Sequence, residues 1–388
     1  MKLLRFSVEN YRSFNSKQEL AINFDDHCVN AIIGPNGCGK SNLFTALRSF
    51  IDTIHYSTKF NGQNSFEPFV LKKGNDQLPT SFSIEIEDND TIYAYSFSTI
   101  KGAIISESLK RNILNTKFCP IFSRKSIPTG RYKEFGFNSD LLSTTRDDAL
   151  ILTRAYENNN PIAVEFFNAL SHVKLMSGTQ DINDTAQKIN ADASFKQKVL
   201  TLLKQADLSI LDLSVSETKI PAELLENSPF AEEVKKSLAN TKAYNISTTH
   251  LVRGEDNRPI NAINLSMINH ESEGTRRIFE MAYPLIDTLE NGHTLFIDEF
   301  DSSLHPAECE LIIKLFEKNI TGAQLIINTH YAGILDVIGR KNIHLIGKNQ
   351  YEESIIGKIP GEARDTALEK KYRLGFFGAV PNITETVG

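Results

Sequence analysis

The opening Leu3-Leu4-Arg5-Phe6-Ser7-Val8-Glu9 alternates in part between apolar and polar side chains and predicts a strand, as does the stretch 18–24. Residues 28–33, Cys-Val-Asn-Ala-Ile-Ile, are a short apolar run that stops at Gly34, the pattern of a buried strand running into a tight turn. Helical spacing follows at 42–48. From about 65 to 135 period two dominates. Residues 80–86 and 91–97 alternate on either side of Asp88-Asn89-Asp90, which predicts a hairpin with one wet face. Further short strands are expected near 103–109 and 118–123, completing an antiparallel β lobe.

Between about 145 and 245 apolar residues recur three and four apart, at 147–157, 163–171, 193–204 and 231–238, with one strand expected near 208–214. Strand character returns at 246–251 and 260–265, and a helix fits 274–289 before the turn Asn291-Gly292. The last third alternates: strand 294–298, helix 306–317, strand 323–329, helix near 331–338, strand 343–347. That order predicts a parallel sheet with helices on it. The expected organisation is a core built from 1–60 and 246–388, a β lobe over 61–145, and a mainly helical insertion over 146–245.

Composition narrows the class. Of 388 residues, 40% are hydrophobic and 23% charged, as in a soluble globular protein. No apolar run approaches the roughly 18–20 residues of a membrane span, and charges interrupt the N-terminal apolar stretch, so no membrane partner and a cytoplasmic location are expected. Cys28, Cys38, Cys119 and Cys309 form no Cys-x-x-Cys pair, which argues against a zinc or disulfide framework. A net charge of −6 argues against a protein that coats nucleic acid, though not against a local basic groove.

Two motifs carry chemistry. Gly34-Pro35-Asn36-Gly37-Cys38-Gly39-Lys40-Ser41 matches G-x-x-x-x-G-K-[ST], between an expected strand and an expected helix. The glycines let backbone N–H groups wrap a phosphate and the helix N-terminus adds positive potential, so Lys40 is expected to reach the β- and γ-phosphates and Ser41 to ligate Mg²⁺. Thr294-Leu295-Phe296-Ile297-Asp298-Glu299 is an apolar strand ending in two carboxylates. Asp298 is expected to hold Mg²⁺ and Glu299 to polarise the attacking water. The next apolar strand ends at His330, a candidate sensor of the γ-phosphate. Two arrangements compete for His305 and His330: a metal cluster with Asp298, Glu299 and Asp301, or one sensor and one loop residue. The preference of Mg²⁺ for oxygen favours the second. Lys40 and Asp298 are 258 residues apart, so their sheet must be assembled from both ends of the chain.

Val8-Glu9-Asn10-Tyr11-Arg12-Ser13-Phe14, the Gly34-Pro35-Asn36-Gly37 opening of the loop, Glu271-Ser272-Glu273-Gly274-Thr275-Arg276-Arg277, Asp301-Ser302-Ser303-Leu304-His305-Pro306 and His330 together resemble the ABC-type ATPase heads of the RecF/SMC/OLD class. Within that class the Glu-Ser-x-Gly-Thr form of the signature and the tail 369–381 are similar to the RloA/AbiLi-like ATPases of phage-defence loci. The resemblance covers about 1–60 and 260–385 well, the β lobe loosely and the insertion hardly at all.

The resemblance implies an α/β ABC-type P-loop head: a mixed sheet with flanking helices, an antiparallel β lobe and a helical insertion. It implies Mg²⁺-dependent ATP hydrolysis between two copies of the chain. Gly34, Pro35, Asn36, Gly37, Cys38, Gly39, Lys40, Ser41 and Asn42 surround the phosphates; Ser41 and Asp298 serve the metal; Glu299, His330 and Lys40 act in turnover. Ser272 and Gly274 reach the partner's nucleotide, and Arg12 reaches the phosphates or base. Gln77 is one candidate for the Q-loop glutamine, which the local motif does not single out, and Glu273 replaces the usual second signature glycine. The function implied is a switch in antiviral defence that controls a separate effector. The alternative is a RecF-like repair ATPase that clamps DNA. A single-chain OLD-type nuclease is disfavoured, since about 58 residues after His330 are too few for a Toprim domain.

Overall fold

The computed structural model describes residues 2–23, 28–59, 66–114, 116–124, 135–177, 182–206, 209–219, 242–359 and 367–377. The chain forms two compact units, one from residues 1–178, 288–300 and 313–388, the other from 179–287 and 301–312. In chain order the strands and helices begin with β1 (Lys2–Glu9), β2 (Gln18–Ala21), β3 (Val29–Ile33) and α1 (Lys40–Tyr56). Next come β4 (Thr80–Asp88), β5 (Thr91–Ile100), β6 (Ala103–Ile113), β7 (Cys119–Ser123), α2 (Ser139–Thr144), α3 (Ile151–Glu157), α4 (Pro161–Ser171) and β8 (Val173–Met176). α5 (Ile182–Ala191), α6 (Ala193–Gln205), β9 (Asp212–Lys219), β10 (Lys242–Arg253), β11 (Pro259–Ser266) and α7 (Met267–His270) follow. The last elements are α8 (Glu273–Asn291), β12 (Thr294–Ile297), α9 (Pro306–Glu317), β13 (Gln324–Thr329), β14 (Ile343–Lys348), β15 (Ser354–Lys358) and α10 (Leu368–Arg373).

The expected α/β architecture is borne out. In the first unit a six-stranded sheet of order β15-β14-β3-β13-β12-β8 is parallel except for the edge pair β14/β15. Its central strands have no polar face: every residue of β3, β12 and β13 is buried, as a parallel sheet covered on both sides requires. Ile33 pairs with Thr329, Ile327 with Ile297, and Ile297 with Met176, so β3, β13, β12 and β8 all end along one edge. In open α/β sheets that carboxyl edge is where ligands bind.

The other sheet of this unit is antiparallel, of order β2-β1-β4-β5-β6-β7. β4 alternates buried and half-exposed residues along most of its length. The expected hairpin closes on Asn89-Asp90, both in the left-handed region (φ 44° and 63°), the turn whose twist matches the strands. α1 serves both sheets. Phe44 packs edge-on against Phe296 of β12, with centroids 5.4 Å apart, and Phe50 stacks on Phe97 of β5, also at 5.4 Å and 2° between planes. Each such buried phenylalanine is worth about 2–3 kcal/mol. The helix that carries the phosphate loop is therefore clamped from two sides.

In the second unit, β11-β10-β9 form a three-stranded antiparallel sheet. The strand expected near 208–214 is found at β9, displaced toward the C-terminus, with 207 and 208 outside the described residues. The helix expected over 231–238 also lies outside them. The helix expected near 331–338 is a 3-10 turn over Ala332–Asp336, because Gly333 and Gly339 leave too short a run of good helix formers. β8 has no counterpart in the predicted pattern.

His344 generates a test of the sheet's interior. It lies on β14, 1% exposed and paired with Ile32. Burial, with Lys358 adding to it, pushes its imidazole from the ordinary 6.5 down to about 4. The unfolded chain takes up this proton near pH 6.5 and the folded chain only near pH 4. Stability is therefore complete above pH 6.5 and falls on acidification across that window, by about 3 kcal/mol for this group. Urea unfolding at several pH values should show the slope, and His344→Gln should flatten it. An equal slope in the variant would contradict the assignment.

Candidate functional site

The phosphate-loop residues follow directly from β3, and their geometry is tight where the motif has glycine. Gly39 precedes α1 with φ 111° and offers no side-chain cap, and the first turn of α1 has no acidic residue. The positive helix end is thus left for an anion. A Cβ on Gly34 would lie 2.1 Å from the Ile346 carbonyl oxygen, so the loop passes directly over β14. Lys40 is buried, and its Nζ donates to the carbonyls of Gly34 at 2.6 Å and Pro35 at 3.0 Å, drawing the loop around the ammonium. Nδ1 of His330, an exposed residue just past β13, stands 3.4 Å from the same Nζ. Cys38 is buried as well, and that burial pushes its thiol up despite the neighbouring Lys40. This agrees with a small packing residue rather than a reactive thiolate.

The two carboxylates are separated by a sharp turn. Asp298 is buried, Glu299 is exposed with φ 52°, and Phe300 returns to the core, its N–H donating to Asn328 O at 2.9 Å. A glutamate in the left-handed region costs about 1 kcal/mol, a strain that points to function. Asp298 Oδ1 lies 3.4 Å from Ser41 Oγ and accepts from Asn328 Nδ2 at 2.8 Å. The same amide nitrogen is 3.1 Å from the carbonyl of Lys40, and Asn328 Oδ1 is buried with no hydrogen-bond partner among the described residues. Sequence reasoning missed Asn328. Its only signal was a polar side chain two residues before His330, directly after the apolar run Leu325-Ile326-Ile327. It also missed Ser13 and Ser354, which brace the loop: Ser13 Oγ accepts from Asn42 at 2.8 Å, and Ser354 Oγ donates to Cys38 O at 2.6 Å.

Arg12 sits at φ 47° with its Nε 3.3 Å from Glu67, an exposed pair of little energetic worth. With Ser13, Asn42, Val70, Leu71 and Lys348 it borders an open cleft of about 680 Å³ beside the first turn of α1. That is within the usual size range of small-molecule sites. Gln77 lies exposed on a 3-10 turn, accepting from Lys101 at 3.0 Å.

In the second unit, Ser272 caps α8: its Oγ accepts from Thr275 N at 3.1 Å and meets Thr275 Oγ1 at 2.8 Å. A Cβ on Gly274 would lie 2.9 Å from Ser303 O, so this position has no room for a side chain. His305 also has a local role, its Nδ1 accepting from Ala307 N at 3.2 Å where α9 begins. Among the described residues no group of three or more His, Cys, Asp or Glu side chains could hold a metal ion. Asp298, Glu299, Asp301, His305 and His330 therefore form no such cluster. The first unit thus gathers Lys40, Ser41, Asp298 and His330, with Glu299 adjacent, while Ser272, Gly274 and His305 belong to the second unit.

Residues 29–336 match the model of the family described as "AAA domain, putative AbiEii toxin, Type IV TA system". The "Phosphate import ATP-binding protein PstB 2" of Lactiplantibacillus plantarum is 38% identical over 126 residues, 27% of this chain and 50% of that protein. The "Chromosome partition protein Smc" of Halobacteriovorax marinus is 49% identical over 47 residues, 12% of this chain and 4% of that protein. The chain thus spans half or less of the length of these curated relatives. Among solved structures, the SMC head domain from Thermotoga maritima superposes with a TM-score of 0.44 at 14% identity, over 93% of this chain and 100% of that one. The recombination mediator protein RecF with ATP gives 0.41 at 16%, over 92% and 99%. No described helix is long and apolar enough to cross a membrane.

The loop's glycines make a paired prediction. Gly37 and Gly39 both have left-handed φ (73° and 111°), but a Cβ on Gly37 meets nothing within 4 Å, whereas one on Gly39 would lie 2.3 Å from Ser354 Oγ and 2.9 Å from Ser13 Oγ. Gly37→Ala should cost about 1 kcal/mol in urea unfolding. Gly39→Ala should cost clearly more, since both bracing hydroxyls must move. Equal losses would show that the crowding around Gly39 is not part of the folded loop.

Proposed function

Starting from a chain that belongs to the AbiEii-type AAA-domain family and so to the P-loop ATPase class, we propose that it binds and hydrolyses ATP as a molecular switch. The observation that carries the reading is the convergence of three neighbouring strand ends. β3 leads to Lys40 and Ser41, β13 to His330 and β12 to Asp298, with Glu299 next in the chain. Gly34, Pro35, Asn36, Gly37, Cys38 and Gly39 would wrap the phosphates with backbone N–H groups, Lys40 would neutralise them, and Asn42 would border the nucleoside. The 680 Å³ cleft beside Arg12 offers the nucleoside its seat. Ser41 and Asp298 suit Mg²⁺, since both offer oxygen and the nearby Asn328 Oδ1 is buried without a partner among the described residues. When bound, Mg²⁺ supplies charge neutralisation on the phosphates. Glu299, exposed at its turn, would accept the proton of the attacking water, and His330 would report on the γ-phosphate.

Ser272 and Gly274 lie on the other unit and have no role at this chain's own loop in the proposal. They act on the nucleotide of a second copy, so that ATP closes a homodimer and hydrolysis reopens it. The family's description supports a place in toxin–antitoxin biology, and the RloA/AbiLi-like signature and tail point within it to a defence ATPase. The chemistry gathered around Lys40 handles phosphate, so we assign nucleic-acid cleavage or growth arrest to a separate effector that the ATPase controls.

Three outcomes test this. Lys40→Ala should abolish nucleotide binding or turnover, while Glu299→Gln should bind Mg²⁺-ATP and accumulate dimers without cleaving it. Undiminished phosphate release by both would place the active site elsewhere. Ser272→Arg should retain nucleotide binding measured by calorimetry yet lose turnover. In infected cells, protection should require a neighbouring gene product as well as this chain. Full protection or metal-dependent nuclease activity from this chain alone, lost in Glu299→Gln, would contradict the division of labour.

A further inference from the structure

The signature serine stands at a chain corner that something must hold. Glu271, the residue before it, has extended backbone (φ −80°, ψ 154°) between α7 and α8. Its side chain is only 10% exposed, whereas Ser272 is exposed, so the chain crosses from interior to surface at this peptide. A carboxylate buried that deeply needs donors. Both donors come from β10. His250 Nε2 lies 2.7 Å from Glu271 Oε1, and the fully buried Thr248 Oγ1 donates to the same oxygen. β10 is the central strand of its sheet: Thr248 pairs with Leu213 of β9 and Leu265 of β11, and His250 with Ile263 of β11, so backbone pairing holds both donors in place.

Downstream, the corner has little slack. Ser272 Oγ is committed to Thr275, and Arg276 Nη1 ties α8 back to Ile268 O of α7 at 3.0 Å. The backbone at Gly274 runs so close to Ser303 that a methyl there would lie 2.9 Å from the carbonyl oxygen. Releasing Glu271 leaves Ser272 capping its helix but frees the direction in which the helix start is presented. We propose that His250, with Thr248, is a positioning residue: by clamping Glu271 it sets the signature Ser272 for the nucleotide of a second copy of this chain. This rests on the trans role of Ser272 proposed above. His250 touches no nucleotide in this scheme and acts through Glu271 alone.

The experiment mixes variants with separate defects. His250→Ala should keep its own nucleotide affinity within about twofold and lose turnover by about tenfold or more, the size of a lost charge-assisted hydrogen bond. His250→Gln, which can still donate from the equivalent position, should recover most of the turnover. Mixed with Lys40→Ala, His250→Ala should regain turnover severalfold above either variant alone. One site of the mixed dimer then joins an intact phosphate loop to an intact signature. Ser272→Arg mixed with Lys40→Ala is the control for the trans reading. If the control recovers but the His250→Ala mixture does not, or if His250→Ala turns over normally, the clamp is overturned and the trans reading stands. Failure of the control overturns the trans reading and the clamp with it. If His250→Ala does not fold, Thr248→Val removes the other donor at constant shape and is read in the same way.

Discussion

One amide side chain joins the two halves of the candidate site. Asn328 Nδ2 faces the carbonyl of Lys40, the first residue of α1, and the carboxylate of Asp298, at 3.1 and 2.8 Å. It can do so because β13 runs between β3 and β12 in the sheet. Lys40 and Asp298 are separated by 258 residues of chain, yet they are next-nearest strand ends in space, and the strand between them supplies the link. With both polar ends buried against apolar strands, the interaction acts in a low dielectric, where a misplaced partner is costly. The loop, the acidic strand end and His330 are thus one unit of geometry rather than three motifs.

The rest of the first unit holds that geometry still. α1 is fixed on one face by Phe44 against β12 and on the other by Phe50 among Phe6, Phe82 and Phe97 of the antiparallel sheet. The loop is braced from outside the motif, by Ser13 in the turn after β1 and Ser354 at the start of β15, whose backbones are themselves hydrogen-bonded at 2.8 Å. The left-handed Glu299 is the one strained residue at the acidic end. The buried residues on either side of it, Asp298 and Phe300, are what hold it there.

Much of this was legible in the sequence because the relevant signals are local. A short apolar run ending in glycine identified β3, and short apolar runs ending in two carboxylates and in a histidine identified β12 and β13. Period two found β4 and β5, and Asp88-Asn89-Asp90 found their turn. What stayed hidden depends on contacts far along the chain. β8 is only Val173–Met176 and becomes a strand by pairing with β12, more than a hundred residues later. Asn328 and Ser354 carry no motif, Ser13 lies in a family stretch that says nothing of its bracing role, and all three roles exist only once the sheet is assembled. The 3-10 turn at Ala332–Asp336 shows the converse, an apolar spacing read as helix where two glycines shorten the run.

The central claim is that a complete catalytic site needs this chain's phosphate loop and a second copy's signature. Steady-state turnover per chain, measured over a dilution series with the oligomeric state determined at each concentration, tests it most directly. Turnover should fall in step with the dimer fraction and approach zero in the monomer. Constant turnover per chain in a proven monomer would contradict the account.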